Sequence, residues 1–409
     1  MIISKRNFIN YSLLFMVIAV SGIPYFTSTI LYIPLTIILL MIFLIRQYTL
    51  HIDFILLLLL LTIITALQAY TFNFFSIQTT LGVFLRIIIG YLIVRILKER
   101  FLLYYINILY YLSIMGTSIY LLIVAIPSLI PVIKSTLIPM LNAFNVADTK
   151  LQTIIIYNFN HIENLRNSGP FWEPGAFAGY LLIAIIFIFF IKDIKHKNKK
   201  LIVLIFALFT TFSTTAFFAF SIFIFLYFYK NIKNIFIKII ISLSLLLSSY
   251  YAYFNFDFLG KKIEHQISMT KNANVYKKDS DTQRFLNIMR DIEDFRGHEI
   301  IGRGSNPLTR YAFKHEEQIR TVGITDILVR MGSVFFLIMM YFLYKSICAI
   351  VAIQYVKKKS LYCIGIMFTI LLTLMSEVYF NFPIYWSLLF MFLIYKPKSK
   401  NKFKKRRFL

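Results

Sequence analysis

Apolar runs of membrane-spanning length recur along this 409-residue chain, and they restrict its fold more than any other feature. In lipid every backbone N–H and C=O must be satisfied within the segment, so such runs have to be helices. A span needs about 20 apolar residues, with roughly 17–25 tolerated. Twelve candidates follow: 8–23, 28–45, 52–70, 79–96, 102–127, 174–191, 200–212, 214–229, 235–254, 326–346, 360–376 and 379–395. Several are short. The pair 200–212 and 214–229 reads either as one broken helix or as a re-entrant hairpin turning at Ser213-Thr214-Thr215. The expected fold class is an all-α polytopic membrane protein with about 12 transmembrane helices.

Composition supports that class. Apolar residues make up 59% of the chain and charged residues 15%, which excludes an ordinary soluble domain. The 43 Phe and 27 Tyr exclude a disordered chain, because that much aromatic surface would not stay solvated. Lys5 and Arg6 precede the first span, and Ala19-Val20-Ser21 lies near its end, a signal-peptide pattern. The many later spans favour an uncleaved first helix. Cys348 and Cys363 lie in or beside apolar stretches and cannot make a disulfide framework, so they read as buried small hydrophobes.

The net charge of +25 would ordinarily raise the question of a nucleic-acid partner. Sorting the basic residues by side answers it. With the N-terminus placed in the cytoplasm, 26 of the 43 Lys and Arg fall on the cytoplasmic side, eight of them in the tail 396–409. The short outer turns 24–27 and 71–78 hold none. Positive charge on inner loops is an orientation signal, and the tail also suits anionic lipid. No basic soluble face remains for nucleic acid.

The chain then divides into helices one to five (1–127), an outer segment (128–173), helices six to nine (174–254), a large outer loop (255–325), helices ten to twelve (326–395) and the basic inner tail. The loop carries ten of the eighteen acidic residues and twelve basic ones. Loops that long in compact proteins are usually functional. Phe285, Ile288, Met289, Ile292 and Phe295 recur at helical spacing, which predicts an amphipathic helix on the membrane-proximal face. Pro131 and Pro139 break 128–141 into an interfacial piece.

The most informative string is 166–180, RNSGPFWEPGAFAGY. Pro174 suits a first helical turn, so a membrane helix starts there with its N-terminus at the outer surface. Free N–H groups and the helix dipole favour an anion at that end. Arg166 adds a guanidinium fork suited to phosphate. Glu173 sits at the mouth, either as a helix cap or as a catalytic group.

The run R-x-x-G-x-x-x-E-P-G from Arg166 to Gly175 resembles the signature of the O-antigen polymerase and ligase superfamily of bacterial surface-polysaccharide enzymes. The Ser213-Thr214-Thr215 turn, the stretch QRFLNIMRDIEDFRGHEIIGRG over 283–304, the stretch RTVGITDILVRMGSV over 320–334, and Glu377 with the following FNFPIYW are similar in order and placement. The resemblance covers most of 160–395. It implies a type C glycosyltransferase fold (GT-C), no metal and no cofactor. The implied reaction is inverting transfer of a glycan from undecaprenyl diphosphate at the periplasmic face of the inner membrane. The partners it implies are an undecaprenyl-diphosphate-linked oligosaccharide, membrane lipids and a chain-length regulator protein.

Carried over by motif, Arg166 and Arg284 would hold the diphosphate, with Arg303 a third candidate or merely a solvated turn residue. Trp172, Arg320 and Asp326 are candidate substrate contacts, and Glu173 or His315 a candidate base. Ligases of the superfamily carry a His-Asn type pair eleven residues before a glycine; counting back from Gly332 gives Thr321 and Val322. That departure favours a polymerase over a ligase. His315 lies beside Glu316 and Glu317, where a loop histidine is more often merely a surface residue. A flippase or transporter and a structural scaffold are the rivals from other classes. No internal repeat of the transporter kind is visible. Asp279-Ser280-Asp281 is a weak metal site, no histidine pair has zinc spacing, and Gly302-Arg303-Gly304 lacks a dinucleotide fold around it. Asp326 and Arg330 are one helical turn apart and placed to pair. Arg86 and Glu377, ionisable groups within apolar sequence, read either as pathway lining or as structural pairs.

Overall fold

The computed structural model describes residues 5–142, 152–160, 165–191, 194–229, 232–238, 284–310, 320–354 and 359–395, with 240 and 264. The regular structure among these residues is helical, apart from one antiparallel pair of two-residue strands, β1 (Thr153–Ile154) and β2 (Tyr157–Asn158). The first five helices are α1 (Lys5–Val20), α2 (Tyr32–Ile45), α3 (Ile52–Phe72), α4 (Ile77–Leu97) and α5 (Phe101–Ala125). Short helices α6 (Leu129–Ser135) and α7 (Leu137–Asn142) follow, then α8 (Pro174–Phe190), α9 (Lys197–Thr210) and α10 (Thr214–Tyr229). The last group is α11 (Arg284–Phe295), α12 (Pro307–Arg310), α13 (Gly323–Gln354), α14 (Lys359–Leu374) and α15 (Pro383–Ser387), with a 3-10 turn at Leu388–Leu393.

Three described stretches are long and apolar enough to cross a membrane: Ile52–Phe72, Ile77–Ala125 and Gly323–Ile353. The second is two helices, α4 and α5, because Lys98 at φ 52 reverses the chain between them. The other apolar helices run 10–17 residues, shorter than the expected twelve full spans. Most of the expected ninth span, and the tail 396–409, lie outside the described residues.

The helix ends sort into two sets. At one end Arg46 donates to the Ile96 carbonyl (3.2 Å), Arg95 to the Thr49 carbonyl (3.0 Å), and Lys345 pairs with Asp53 (3.2 Å). At the other, the Tyr25 hydroxyl donates to the Thr153 carbonyl (2.9 Å), the Ile384 N–H donates to the Ser21 hydroxyl (3.1 Å), and Phe72 meets His298 (4.8 Å between rings). Among the described residues Arg46, Arg95 and Lys345 thus meet at the end opposite Tyr25, Ser21 and Phe72.

Every residue of α8 is buried. A helix apolar on all faces has no solvent side and must be enclosed. Neighbours α5, α9, α10, α13 and α14 surround it. Its first turns carry Gly175, Ala176, Ala178 and Gly179, small residues that let other chain segments approach closely. The Tyr379 hydroxyl uses that room and donates to the Gly175 carbonyl at 2.8 Å.

The ladder of α13 is broken at Gly332 (φ 73), and the loop 299–304 fills the break. The Arg303 N–H donates to the Val329 carbonyl (2.8 Å), the Gly304 N–H to the Arg330 carbonyl (3.1 Å), and the Ser333 N–H to the Glu299 carbonyl (2.8 Å). Gly302 (φ +70) lies against Gly332 so closely that a Cβ on Gly302 would stand 2.5 Å from the Gly332 nitrogen. The freed backbone groups of a broken helix are re-satisfied by backbone from elsewhere, as a membrane helix demands.

The expected amphipathic helix forms as α11, with 279–283 outside the described residues. Its buried face is the polar one: Asn287, Arg290, Asp291 and Asp294 turn inward, while Met289 and Ile292 are about half exposed. Polar burial is offset by pairing. Arg310 bridges Asp291 (3.1 Å) and Asp326, Arg320 bridges Asp291 (3.4 Å) and Asp294 (2.7 Å), and Arg330 pairs with Asp326 (2.9 Å) one turn away. This network ties α11 and α12 to the start of α13 and leaves Met289 and Ile292 of the apolar stripe facing outward. Cys363 is buried and Cys348 half-buried, and no disulfide joins them among the described residues.

Two outcomes test these features. Gly302→Ala should lower thermal stability in detergent by clearly more than Gly297→Ala, which has φ +78 but nothing within 4 Å and should cost only about 1–2 kcal/mol. Equal losses would mean that the backbone splice contributes nothing. Arg310→Ala takes one of two arginine partners from each of the buried aspartates Asp291 and Asp326 and should cost up to about 3–5 kcal/mol by the same measurement.

Candidate functional site

The string from Arg166 to Glu173 is an irregular loop held by two asparagines. Asn158, on β2, donates its side-chain N–H groups to the Phe171 (3.0 Å) and Trp172 (2.8 Å) carbonyls. Asn167 donates from its side chain to the Thr210 hydroxyl (2.8 Å) and accepts from the Gly169 N–H (2.8 Å). The loop therefore delivers Arg166, Trp172 and Glu173 to the start of α8 in a fixed register.

Glu173 occupies the N-cap position with extended backbone, but its side chain makes no capping bond. It turns instead to a second carboxyl. A Cβ on Gly175 would lie 3.0 Å from Glu173 Oε1 and 3.1 Å from Glu377 Oε1, so both carboxyl groups crowd the space that glycine leaves. Glu377, in the turn after α14, is 6% exposed and lies beside the Glu173 carboxyl. The Trp172 ring lies 4.6 Å from Phe382.

Two arginines face this pair from separate parts of the chain. Arg284, the first residue of α11, approaches Glu377 Oε1 (3.4 Å) with one terminal nitrogen and the Thr215 hydroxyl (3.3 Å) with the other. Arg166 donates from Nε to the Thr211 carbonyl (3.2 Å). The tandem helices α9 and α10 thus place their Thr211–Thr215 turn at the site, as two helices joined by a turn rather than one broken helix. Burial lowers the Arg166 pKa; Glu173 opposes that, Arg284 adds to it, and Glu377 opposes it. The four charged side chains therefore form one electrostatic unit at the N-terminus of α8.

Burial raises the Glu377 pKa well above the ordinary carboxylate range. The Glu173 carboxyl raises it further, through a hydrogen bond and its charge, while Arg284 and Trp172 pull the other way. Two close carboxyl groups in a poorly solvated site cannot readily both ionise. With a proton on Glu377, two guanidinium groups stand against one carboxylate, and the site carries a positive excess suited to an anion.

The remaining candidates lie elsewhere. Arg320 and Asp326 belong to the buried ion network of α11–α13 rather than to the Arg166–Arg284 cluster. Arg303, in the Gly302–Gly304 turn, donates from Nε to the Asp294 carbonyl and lines a separate cleft against the α3–α4 hairpin. His315 lies outside the described residues. Arg86 sits 5.8 Å from the centroid of the Tyr32 ring. Glu377 is the residue the motif reading left out of the site, although an acidic side chain between two apolar runs was its visible signal. Among the described residues no cluster of His, Cys, Asp or Glu could hold a metal ion. No protein-family model matches the chain, and no curated protein is similar enough to count as a relative.

The Glu377 shift has a definite sign in pH. A raised folded-state pKa means the unfolded chain gives up this proton first. The stabilisation is therefore fully present below the ordinary carboxyl range and is lost as pH rises through the shifted value. Wild-type unfolding temperature should fall across that interval, and Glu377→Gln, which is neutral throughout, should flatten the decline. An unchanged slope in Glu377→Gln would show that Glu377 is not the titrating group.

Proposed function

We propose that this chain is a glycosyltransferase of the O-antigen polymerase kind, of type C fold, lying in a bacterial inner membrane with its termini cytoplasmic and its site periplasmic. The observation that carries the proposal is the meeting of Arg166 and Arg284 with Glu173 at the N-terminus of α8. The two arginines come from different loop segments, and each resembles a diphosphate-binding position of that superfamily.

The reaction would run as follows. A growing glycan on undecaprenyl diphosphate is the donor, and a single lipid-linked repeat unit is the acceptor. An acceptor hydroxyl attacks the donor's anomeric carbon from the face opposite the diphosphate. The new C–O bond forms as the old one breaks, and undecaprenyl diphosphate leaves with the bonding electron pair. The hydroxyl proton passes to a base, for which the Glu173 carboxylate is our candidate. Arg166 and Arg284 stabilise charge growing on the departing diphosphate, as fixed donors do best where water is scarce. The neutral form of Glu377 would leave that positive field uncancelled. Exclusion of water from the site would suppress hydrolysis.

Gene deletion followed by glycan analysis tests the assignment. Single repeat units capping the lipid A core indicate a lost polymerase, and polymer stranded on the carrier a lost ligase. Absence of both carrier-linked units and polymer on the outer face indicates a lost flippase. Restoring the gene with Arg166→Ala or Arg284→Ala, at matched expression, should leave no long glycan ladder on a gel. Full ladders from both variants would remove the diphosphate role.

A further inference from the structure

At the same end of the molecule, on the far side of α11 from Arg284, lies a second polar cavity. It is an open cleft between the α3–α4 hairpin and the loop 303–309, with about 480 Å³ of free space when the open solvent at its mouth is included. α11 has 12 residues and separates the two places by about 18 Å along its axis.

The lining is unlike a lipid contact. Phe74 and Phe75 contribute aromatic surface, and Phe75 is 56% exposed. Opposite them is a set of fixed hydrogen-bonding groups. Gln68 spends its amide N–H groups on the Ile301 (2.6 Å) and Arg330 (2.9 Å) carbonyls, which orients its Oε1 toward Gly304. Asn306 spends Oδ1 on the Leu308 N–H (2.9 Å), which leaves its side-chain donors for the cleft. Arg303 is held through Nε by the Asp294 carbonyl, and its terminal nitrogens make no hydrogen bond among the described residues. Gly304 (φ +84) keeps the floor open, since a Cβ there would stand 3.2 Å from Gln68 Oε1.

Aromatic surface beside amide and guanidinium groups matches one ligand chemistry closely. A pyranose presents apolar C–H groups on its faces, which pack on aromatic rings, and hydroxyls at its rim, which need both donors and acceptors. An acyl chain would leave the polar groups unpaired, and a bare phosphate would not use the aromatic ones. The fixed orientation of Gln68, Asn306 and Arg303 also lowers the entropy cost of binding.

We infer that this cleft is a carbohydrate subsite, holding a sugar of the lipid-linked glycan while Arg166 and Arg284 hold the diphosphate. The inference rests on the proposed function for the identity of the glycan. It gives the chain two separable recognition sites, one for the carrier and one for the repeat unit.

Two probes keep the two ideas apart. Full-length protein in nanodiscs is titrated with undecaprenyl diphosphate, and separately with lipid-free oligosaccharide released by mild acid from the carrier-linked units of the strain that carries this chain. Phe75→Ala removes the aromatic platform, and Ser305→Trp fills the cleft. Each should weaken oligosaccharide binding about tenfold or more while leaving carrier binding intact, which also shows that the variant is folded. Arg284→Ala should do the reverse.

Oligosaccharide binding that survives both cleft variants, or that Arg284→Ala abolishes, overturns the subsite. So does a wild-type protein that binds carrier and no oligosaccharide, and that result leaves the proposed function standing. Carrier binding unmoved by Arg166→Ala and Arg284→Ala, with oligosaccharide binding lost in the cleft variants, overturns the diphosphate role and keeps the subsite. A wild-type protein that binds neither probe overturns both.

Discussion

A helix that is apolar on every face has to be enclosed, and α8 imposes that condition on the rest of the molecule. Once α8 is central, its first turn cannot lie at the periphery. Pro174 starts the helix, and the loop before it is pinned by Asn158 and Asn167, so whatever precedes Pro174 is brought to the middle of one end of the bundle. Small residues in its first turns admit Tyr379, which in turn carries Glu377 to Gly175. The site is thus a consequence of how the central helix is packed.

Charge is handled differently in the two polar regions of that end. In the ion network, Asp291, Asp294 and Asp326 are matched by Arg310, Arg320 and Arg330. Buried ions with matched partners hold elements in register, here α11 against α13. Around Glu173 the matching is incomplete, because one carboxyl is pushed toward its neutral form while two guanidinium groups remain. A surplus of positive charge at a helix N-terminus is poorly satisfied by the protein alone, and an anionic ligand would complete it.

Much of this was legible from residue order. The helical character, the alternation of basic and non-basic turns, and the start of α8 at Pro174 all follow from rules that operate over a few residues. Arg166, Glu173, Trp172 and Arg284 were picked out by local pattern and do come together. Arg320 and Asp326 show the limit of that approach. An arginine or aspartate at a helix start looks the same whether it faces a substrate or an ion partner, and here the partners include Asp291, Asp294 and Arg310, residues 16 to 29 positions upstream. The same limit applies to α11, whose period was visible but whose buried face was not. Its polar side turned inward because three arginines were waiting there.

The sequence by itself determined that the chain is built of apolar helices and where the central helix begins. These depend on backbone satisfaction and on periodicity, which are local. Only the tertiary structure decided that Glu377 completes the cluster, that Gly302 and Gly332 meet backbone to backbone, and that Gln68, Arg303 and Asn306 face one cleft. Those pairings join segments up to 262 residues apart, as in the bond from Gln68 to Arg330. Contacts over that separation depend on which helices enclose which, and no short pattern in the chain encodes that choice.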